Sequence, residues 1–202
     1  MKILVAITTT ALLLISAIIY AQPEVDCSVY PDQQSSAYLL PYEVGQAFKV
    51  VVSTGHYRAS NHGVGLYAVD FDMPIGTRIV AARAGEVVAV REEFHDGNGK
   101  DLEENYVFIR HSDGTIARYF HLTHNGVLVS EGDKVQAGDV IAISGDTGQT
   151  LSHHLHFDVQ SCGPNLPPHY NQQPCGQTLP VSFKNTASHS CGLEAGVTYK
   201  AL

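Results

Sequence analysis

The sequence has few basic residues and no local concentration of them. Its 202 residues include 12 lysines and arginines against 20 aspartates and glutamates, which gives a formal net charge of −8 at pH 7. Proteins that bind nucleic acids present a basic patch to the phosphate backbone. This chain has no such patch, and we therefore expect no nucleic-acid partner.

Several motifs of common hydrolase classes are also missing. The chain contains no HExxH, the zinc-binding motif of many metallopeptidases, and no GxSxG, the nucleophile turn of many serine hydrolases. Its four cysteines form no CxxC pair, which argues against a zinc site built from cysteines. The chain does contain eleven histidines, three of which fall within the short stretch SHHLHFDV.

Long hydrophobic runs are confined to the amino terminus. Lys2 precedes an apolar run that ends near Ala21 and is followed by polar, turn-rich sequence, which is typical of a secretory signal peptide. An uncleaved anchor is the alternative, because the run from Ile3 to Ala21 approaches the ~20 residues that span a membrane. We favour cleavage near Ala21, export to the periplasm or the medium, and no stable membrane insertion of the mature chain.

An even number of cysteines in an exported chain predicts two disulfides, for which three pairings exist. We favour the pairing of Cys162 with Cys175, which closes a short proline-rich loop, and of Cys27 with Cys191.

Between residues 38 and 159 the sequence consists of short Val/Ile-rich runs separated by glycines, and no helical apolar period lasts longer than two turns. Alternating runs flank Ser112-Asp113-Gly114, which predicts a β-hairpin because Asp-Gly favours the tight turn. We therefore expect a mostly β protein with an antiparallel sheet or sandwich core.

This pattern divides the chain into four expected parts. They are a signal peptide (1–21), a polar leader or linker (22–37), one domain (38–160), and an irregular, disulfide-linked extension that packs on the domain (161–202). One further strand is expected within the extension, in TLPVSFKNT.

The stretch HLHFDV alternates as a strand does, with side chains at i and i+2 on one face. One face carries the polar members, His154, His156 and Asp158. The other carries the apolar members, Leu155, Phe157 and Val159. We expect the apolar face to pack in the core and the polar face to line a site, whereas His153 points away or belongs to the preceding loop.

Two imidazoles on one face can share a metal ion, and zinc draws its other ligands from His, Cys, Asp or Glu. Asp70 stands between apolar residues in a predicted strand, where a carboxylate is costly without a partner. His62 precedes it in a glycine-rich turn. Two histidines and one aspartate would leave one position for water, as in catalytic zinc sites. The alternatives are a solvated or core histidine pair and an Asp70 that caps a strand.

Three long stretches carry a family resemblance. HGVGLYAVDFDMPIGTRIVAARAGEVVAV, YVFIRHSDGTIARYFHL and VSEGDKVQAGDVIAISGDTGQTLSHHLHFDV resemble, in this order, the lysostaphin-type (LytM-type) zinc metallopeptidases. The resemblance implies a LytM-like architecture of the duplicated-hybrid-motif type, with an antiparallel β core and a groove. It further implies one zinc ion per chain and hydrolysis of peptide bonds in peptidoglycan or in glycine-rich proteins.

The resemblance also implies roles for individual residues. The metal ligands fall on His62, Asp70 and His156. The catalytic histidines fall on His154, the first histidine of the HxH motif, and on His121 in YFHL. In the mechanism that this implies, one catalytic histidine accepts a proton from the attacking water and the other assists the oxyanion or the leaving amine.

Two departures from the family pattern stand out. Seven residues separate His62 from Asp70, where many members have three, and His56 is a less favoured substitute for His62. Ser152-His153 also replaces the Gly-Pro that often precedes the family's HLHF.

Strand alternation makes further predictions around these residues. In TIARYFHL it places His121 on the same face as Tyr119, which is expected to line the groove, and Leu122 on the other face. Asp158 shares the face of His156, where it either holds an imidazole N–H or is a surface acid at a strand end.

Two other classes of function remain as alternatives. The chain could be a non-catalytic LytM-type module that binds or activates cell-wall amidases, although it keeps every ligand position named above. It could also be a lipoyl- or biotin-carrier-like β domain, but Lys134 lacks the MKM-like surroundings of a carrier lysine. We favour the zinc metalloendopeptidase, acting as a monomer on peptidoglycan peptides or a glycine-rich protein.

Overall fold

The computed structural model describes residues 26–54, 65–161 and 178–202. These residues form eleven β-strands and one short 3-10 turn, Cys27–Val29, so the prediction of a mostly β protein is confirmed. The strands are β1 Ala47–Val52, β2 Val69–Asp72, β3 Arg78–Val80, β4 Gly85–Arg91, β5 Tyr106–Arg110, β6 Thr115–Phe120, β7 Leu122–Val127, β8 Lys134–Val135, β9 Val140–Ser144, β10 Leu155–Ser161 and β11 Thr198–Lys200. The described part of the chain contains no helix of the length and hydropathy needed to cross a membrane.

The strands form two antiparallel sheets. Eight of them lie in the order β11-β1-β2-β10-β6-β5-β4-β8, and the other three in the order β3-β9-β7. Both sheets contribute to one core, to which the larger sheet gives Phe71, Leu155 and Phe157 and the smaller sheet gives Ile79 and Ala142. The opposite face of the larger sheet carries a second, smaller aromatic cluster, which consists of Tyr106, Phe108, Ile116 and Phe120.

The two local patterns that the sequence showed most clearly are present. β5 and β6 pair antiparallel around a turn in which Asp113 Oδ1 accepts a hydrogen bond from the Thr115 backbone N–H at 3.0 Å and Gly114 adopts a φ of 83°. In β10, Leu155, Phe157 and Val159 are all buried in the main core. The predicted alternation of β10 is therefore confirmed.

The expected strand in TLPVSFKNT is not formed by the described residues 178–186. Two isolated bridges stand there instead, one between Thr178 and Gln160 and one between Phe183 and Tyr38. The last strand is β11, which pairs with β1.

A disulfide and a buried hydrogen bond join the first and last described segments of the chain. Cys27 forms a disulfide with Cys191, which confirms one of the two predicted pairings, whereas Cys162 and Cys175 lie outside the described residues. Gln33 is buried and its side-chain amide donates to the carbonyl of Phe183 at 3.0 Å. The boundaries of the four expected parts stay a prediction.

Candidate metal and catalytic site

Three neighbouring strands in the middle of the larger sheet, β2, β10 and β6, bring the polar side chains together. The register of β10 with β2 sets His156 directly opposite Asp70. The register of β10 with β6 sets Asp158 directly opposite Arg118. Because directly opposed residues in antiparallel strands have their Cβ atoms about 5 Å apart, both pairs can make side-chain contacts.

His156 lies between two carboxylates. Its Nδ1 is 2.9 Å from Oδ1 of Asp70, and its Nε2 is 3.2 Å from Oδ2 of Asp158. All three side chains are buried. Burial alone would lower the pKa of His156, but the charges and hydrogen bonds of Asp70 and Asp158 outweigh it and raise this pKa to about 9. The two carboxylates thus favour the protonated, positively charged form of His156.

His121 lies on the opposite face from the one that strand alternation predicts. It has a φ of 62°, which ends β6 and reverses the alternation. Tyr119 is consequently buried in the main core, where its hydroxyl accepts a hydrogen bond from the Ala82 N–H at 2.8 Å, so it does not line a groove. Leu122 joins the same core. The face prediction was wrong for both His121 and Leu122.

The reversal brings His121 to His154. Their ring centres are 4.5 Å apart, and the rings of His121 and His156 are 6.1 Å apart. Burial, with the neighbouring His154 and His156, lowers the pKa of His121 to about 3, although the Thr147 hydrogen bond and the charge of Asp70 act in the opposite direction. A left-handed backbone at a residue other than glycine costs about 1–3 kcal/mol, a strain that clusters at functional sites.

Both of these histidines are oriented by backbone carbonyl groups. Nδ1 of His121 lies 2.7 Å from the Thr147 carbonyl oxygen, and Nδ1 of His154 lies 2.8 Å from that of Ser152. A carbonyl oxygen only accepts, so each Nδ1 carries the proton and each Nε2 carries the lone pair. The Nε2 atom of His154 is 3.7 Å from Oδ2 of Asp70. In its neutral form each imidazole therefore has an unprotonated Nε2, and that of His154 lies near the Asp70 carboxylate.

The loop that carries Thr147 is itself held by the loop between β4 and β5. The Thr147 hydroxyl accepts from the Asn105 backbone N–H at 2.9 Å and donates to the carbonyl of Leu122 at the same distance. Asp96 Oδ1 accepts from the Asp146 N–H at 2.6 Å. This network fixes the carbonyl that orients His121, and sequence reasoning gave no indication of it.

The structure thus brings together four of the five predicted site residues, namely Asp70, His121, His154 and His156. His62 lies outside the described residues, as does His56. His153 stands apart, with its half-exposed ring against the Met73 carbonyl oxygen at 3.1 Å. Among the described residues no three His, Cys, Asp or Glu side chains form a group that could hold a metal ion. The described cluster supplies two donors of the predicted set, His156 and Asp70.

Sequence reasoning missed Arg118. This residue is almost fully buried and binds Asp158 through Nε at 2.7 Å and Nη2 at 2.5 Å. A signal existed in the sequence, because β6 and β10 each contain one Asp, Glu, Lys or Arg residue next to apolar residues, and the two are of opposite sign. Such residues are rarely buried unless they are paired.

The described chain is an antiparallel β protein whose central strands carry a buried cluster of histidine and aspartate. The sequence profile described as peptidase family M23 matches residues 65–168, just over half of the chain. The chain belongs to this family, as the resemblance of its motifs had indicated.

Individual relatives agree with this assignment. Peptidoglycan DD-endopeptidase ShyA of Vibrio cholerae is 39% identical over 90 residues, which are 45% of this chain and 19% of that protein. Lysostaphin of Staphylococcus simulans is 35% identical over 127 residues, which are 62% of this chain and 23% of that protein. The crystal structure of a mutant catalytic domain of the prophage-encoded protein EnpA from Enterococcus faecalis matches with a TM-score of 0.50 at 25% identity, over 70% of this chain and 94% of that one.

The chain spans about a fifth of the length of ShyA and less than a quarter of that of lysostaphin. The similarity therefore covers one domain of these proteins, and it does not show that this chain acts on the same substrates.

Proposed function

We propose that this protein is a zinc-dependent metalloendopeptidase that hydrolyses peptide bonds in peptidoglycan cross-links. The observation that carries the proposal is the buried pair of His156 Nδ1 and Asp70 Oδ1, 2.9 Å apart, with the rings of His121 and His154 beside it. Family membership makes a peptidase the expected class of activity.

The donor atoms fit zinc. With zinc bonds of about 2.0–2.2 Å to imidazole nitrogen and carboxylate oxygen, two donors that share one ion lie about 3 Å apart. The Nδ1 and Oδ1 atoms of this pair are at that separation, and the charge around them favours a cation. His156 and Asp70 would therefore hold the ion.

We propose His62 as the third ligand. At the family's commoner spacing, the position four residues before Asp70 is Leu66, whose side chain has no lone pair to offer. A histidine further upstream must then take this place, and the resemblance assigns it to His62. Three protein ligands leave an open coordination position, as in catalytic sites.

Zinc, when bound, supplies a Lewis acid that activates water and polarises the scissile carbonyl. The chain's own residues then handle the protons. One of the pair His121 and His154 accepts a proton at Nε2 from the attacking water, while its Nδ1–H stays on the carbonyl that orients it. The other stabilises the developing oxyanion or delivers a proton to the leaving amine. Their 4.5 Å separation lets both reach one scissile bond.

The substrate follows from the names of the relatives and stays part of the proposal. ShyA is named for peptidoglycan, and a relative in Staphylococcus capitis, 35% identical over 125 residues, is named a glycyl-glycine endopeptidase. We therefore propose peptidoglycan peptides as substrate, with glycine-rich bridges or proteins as the second choice. Such a substrate requires export, which agrees with the predicted signal peptide, and the protein is proposed to act as a monomer.

The experiment is digestion of purified peptidoglycan by the zinc-loaded chain without residues 1–21. Sacculi with direct cross-links and sacculi with pentaglycine bridges are digested in parallel, and the released fragments are identified by mass spectrometry. We expect chelator-sensitive release from one of them, and the fragment masses name the bond. If neither is cleaved while the protein binds a cell-wall amidase, the non-catalytic module is the correct function and the proposal is wrong.

A further inference from the structure

Arg118 and Asp158 form a buried ion pair directly behind the candidate metal ligand. Their side chains are 1% and 0% exposed, and they lie directly opposite each other on β6 and β10. Both oxygens of the carboxylate receive a guanidinium N–H, at 2.7 and 2.5 Å. The guanidinium also lies over the ring of Phe120 at 5.2 Å and near that of Phe108 at 5.9 Å. This two-point contact fixes the plane of the carboxylate.

The same carboxylate contacts the imidazole of His156. Oδ2 of Asp158 is 3.2 Å from Nε2 of His156, on the side of the ring away from Asp70. A carboxylate only accepts hydrogen bonds, so Nε2 carries a proton, and in the metal-free protein Nδ1, which is 2.9 Å from Asp70 Oδ1, carries one as well. A metal ion held by Asp70 would replace the Nδ1 proton, and the Nε2 proton would stay on Asp158. The carboxylate thus selects which imidazole nitrogen serves as the ligand.

We propose that Arg118 and Asp158 are positioning residues, which hold His156 in the tautomer and ring orientation that present Nδ1 to the zinc ion. The inference rests on the proposed function, because it needs His156 to be a zinc ligand. It adds two residues to the site, Arg118 and Asp158, which the sequence did not assign to it.

The charges explain why a carboxylate in this place is accompanied by an arginine. Asp158 alone would put a second negative charge beside the buried ring of His156, at a large desolvation cost. Arg118 compensates this charge, so that the pair adds no net negative charge behind His156. The pair therefore orients the imidazole without competing for the cation. Groups that hold a ligating histidine in this manner typically change metal affinity 10- to 100-fold when they are removed.

The test is zinc affinity, measured by competition with a chromophoric chelator on the purified chain, with zinc alone as the probe. Asp158→Asn is expected to weaken zinc binding by about 10- to 100-fold. The matched control is Glu86→Gln, which breaks the exposed ion pair with Lys134 far along the sheet. This control is expected to bind zinc as the wild type does.

Asp158→Asn leaves Arg118 buried without its anion and could misfold for that reason alone. A second variant therefore tests the same contact without leaving a buried charge. Arg118→Met/Asp158→Leu replaces the pair by apolar side chains, a change that proteins often tolerate. It still removes the acceptor from His156 Nε2, so the same loss of zinc affinity is expected. Nitrogen NMR of the zinc-loaded protein adds a second readout: in the wild type His156 is expected to carry its proton at Nε2 and to face the zinc ion with Nδ1, and this preference is expected to be lost in the double variant.

The outcomes separate the two proposals. Wild-type zinc affinity and an unchanged His156 tautomer in both variants would overturn the positioning role and leave the proposed function intact. Absence of zinc binding by the wild type would overturn the proposed function, and the positioning role with it. A loss confined to the two variants, with Glu86→Gln unaffected, would establish the positioning role.

Discussion

Replacing His154 by alanine is expected to lower turnover on peptidoglycan by about 10²- to 10⁴-fold, the usual contribution of a general acid or base. Zinc content is expected to stay at one ion per chain, because His154 is not one of the proposed ligands. Its Nδ1 faces the Ser152 carbonyl oxygen, and its Nε2 is 3.7 Å from Asp70 Oδ2. The side chain is 13% exposed, so its removal leaves a shallow gap at the surface and the fold is expected to persist.

The adjacent histidine provides the matched control for this variant. His153 has the same chemistry one position earlier, but its ring faces the Met73 carbonyl oxygen and Asp72, away from the cluster. His153→Ala is expected to keep turnover within a few-fold of the wild type. Rates of fragment release and zinc content are measured on the same preparations. If His154→Ala cleaves at the wild-type rate, His154 is not a catalytic residue.

Replacing Asp70 by asparagine is expected to abolish both zinc binding and hydrolysis. The substitution keeps the shape of the side chain but removes the negative charge and one donor oxygen from the pair with His156. The loss of zinc affinity should exceed the 10- to 100-fold typical of residues that only orient a ligand. Chelator competition measures this affinity, and circular dichroism checks the fold.

Asp72 serves as the control for Asp70, because it is the same residue type two positions along the same strand face. It is exposed at the end of β2, and it is 3.7 Å from the ring of His153. Asp72→Asn is expected to bind zinc normally. Equal zinc affinity in Asp70→Asn and the wild type would remove Asp70 from the ligand set.

Much of the fold could be predicted from the sequence, because its signals are local. Alternation in HLHFDV correctly separated the core side of β10 from the side that carries His156 and Asp158. Asp113-Gly114 marked the β5–β6 hairpin, whose turn chemistry is contained in a few residues. Both features depend on neighbours in sequence, and both were confirmed.

Features that depend on distant pairing could not be predicted in the same way. The register that sets His156 opposite Asp70 joins positions 86 residues apart, and the resemblance to known peptidases supplied this association. Alternation also failed at His121, because nothing in its local sequence signals a left-handed backbone. In the folded chain the His121 ring donates to the Thr147 carbonyl oxygen, which lies 26 residues away in sequence.

Arg118 shows most clearly which contacts could not be predicted from the sequence. A charged residue inside a strand is usually read as facing solvent, and its partner Asp158 is 40 residues away. Only the pairing of β6 with β10 shows that the two charges are buried together behind His156.

The most direct test of the account is a zinc titration of the metal-free chain during digestion of peptidoglycan, with fragment release as the signal. We expect no release without metal, a linear rise as zinc is added, and saturation at one equivalent per chain. Release that is independent of added zinc, or a zinc-saturated and folded chain that cleaves no peptide bond in either kind of sacculus, would contradict the assignment of His156 and Asp70 to the zinc site of a peptidase.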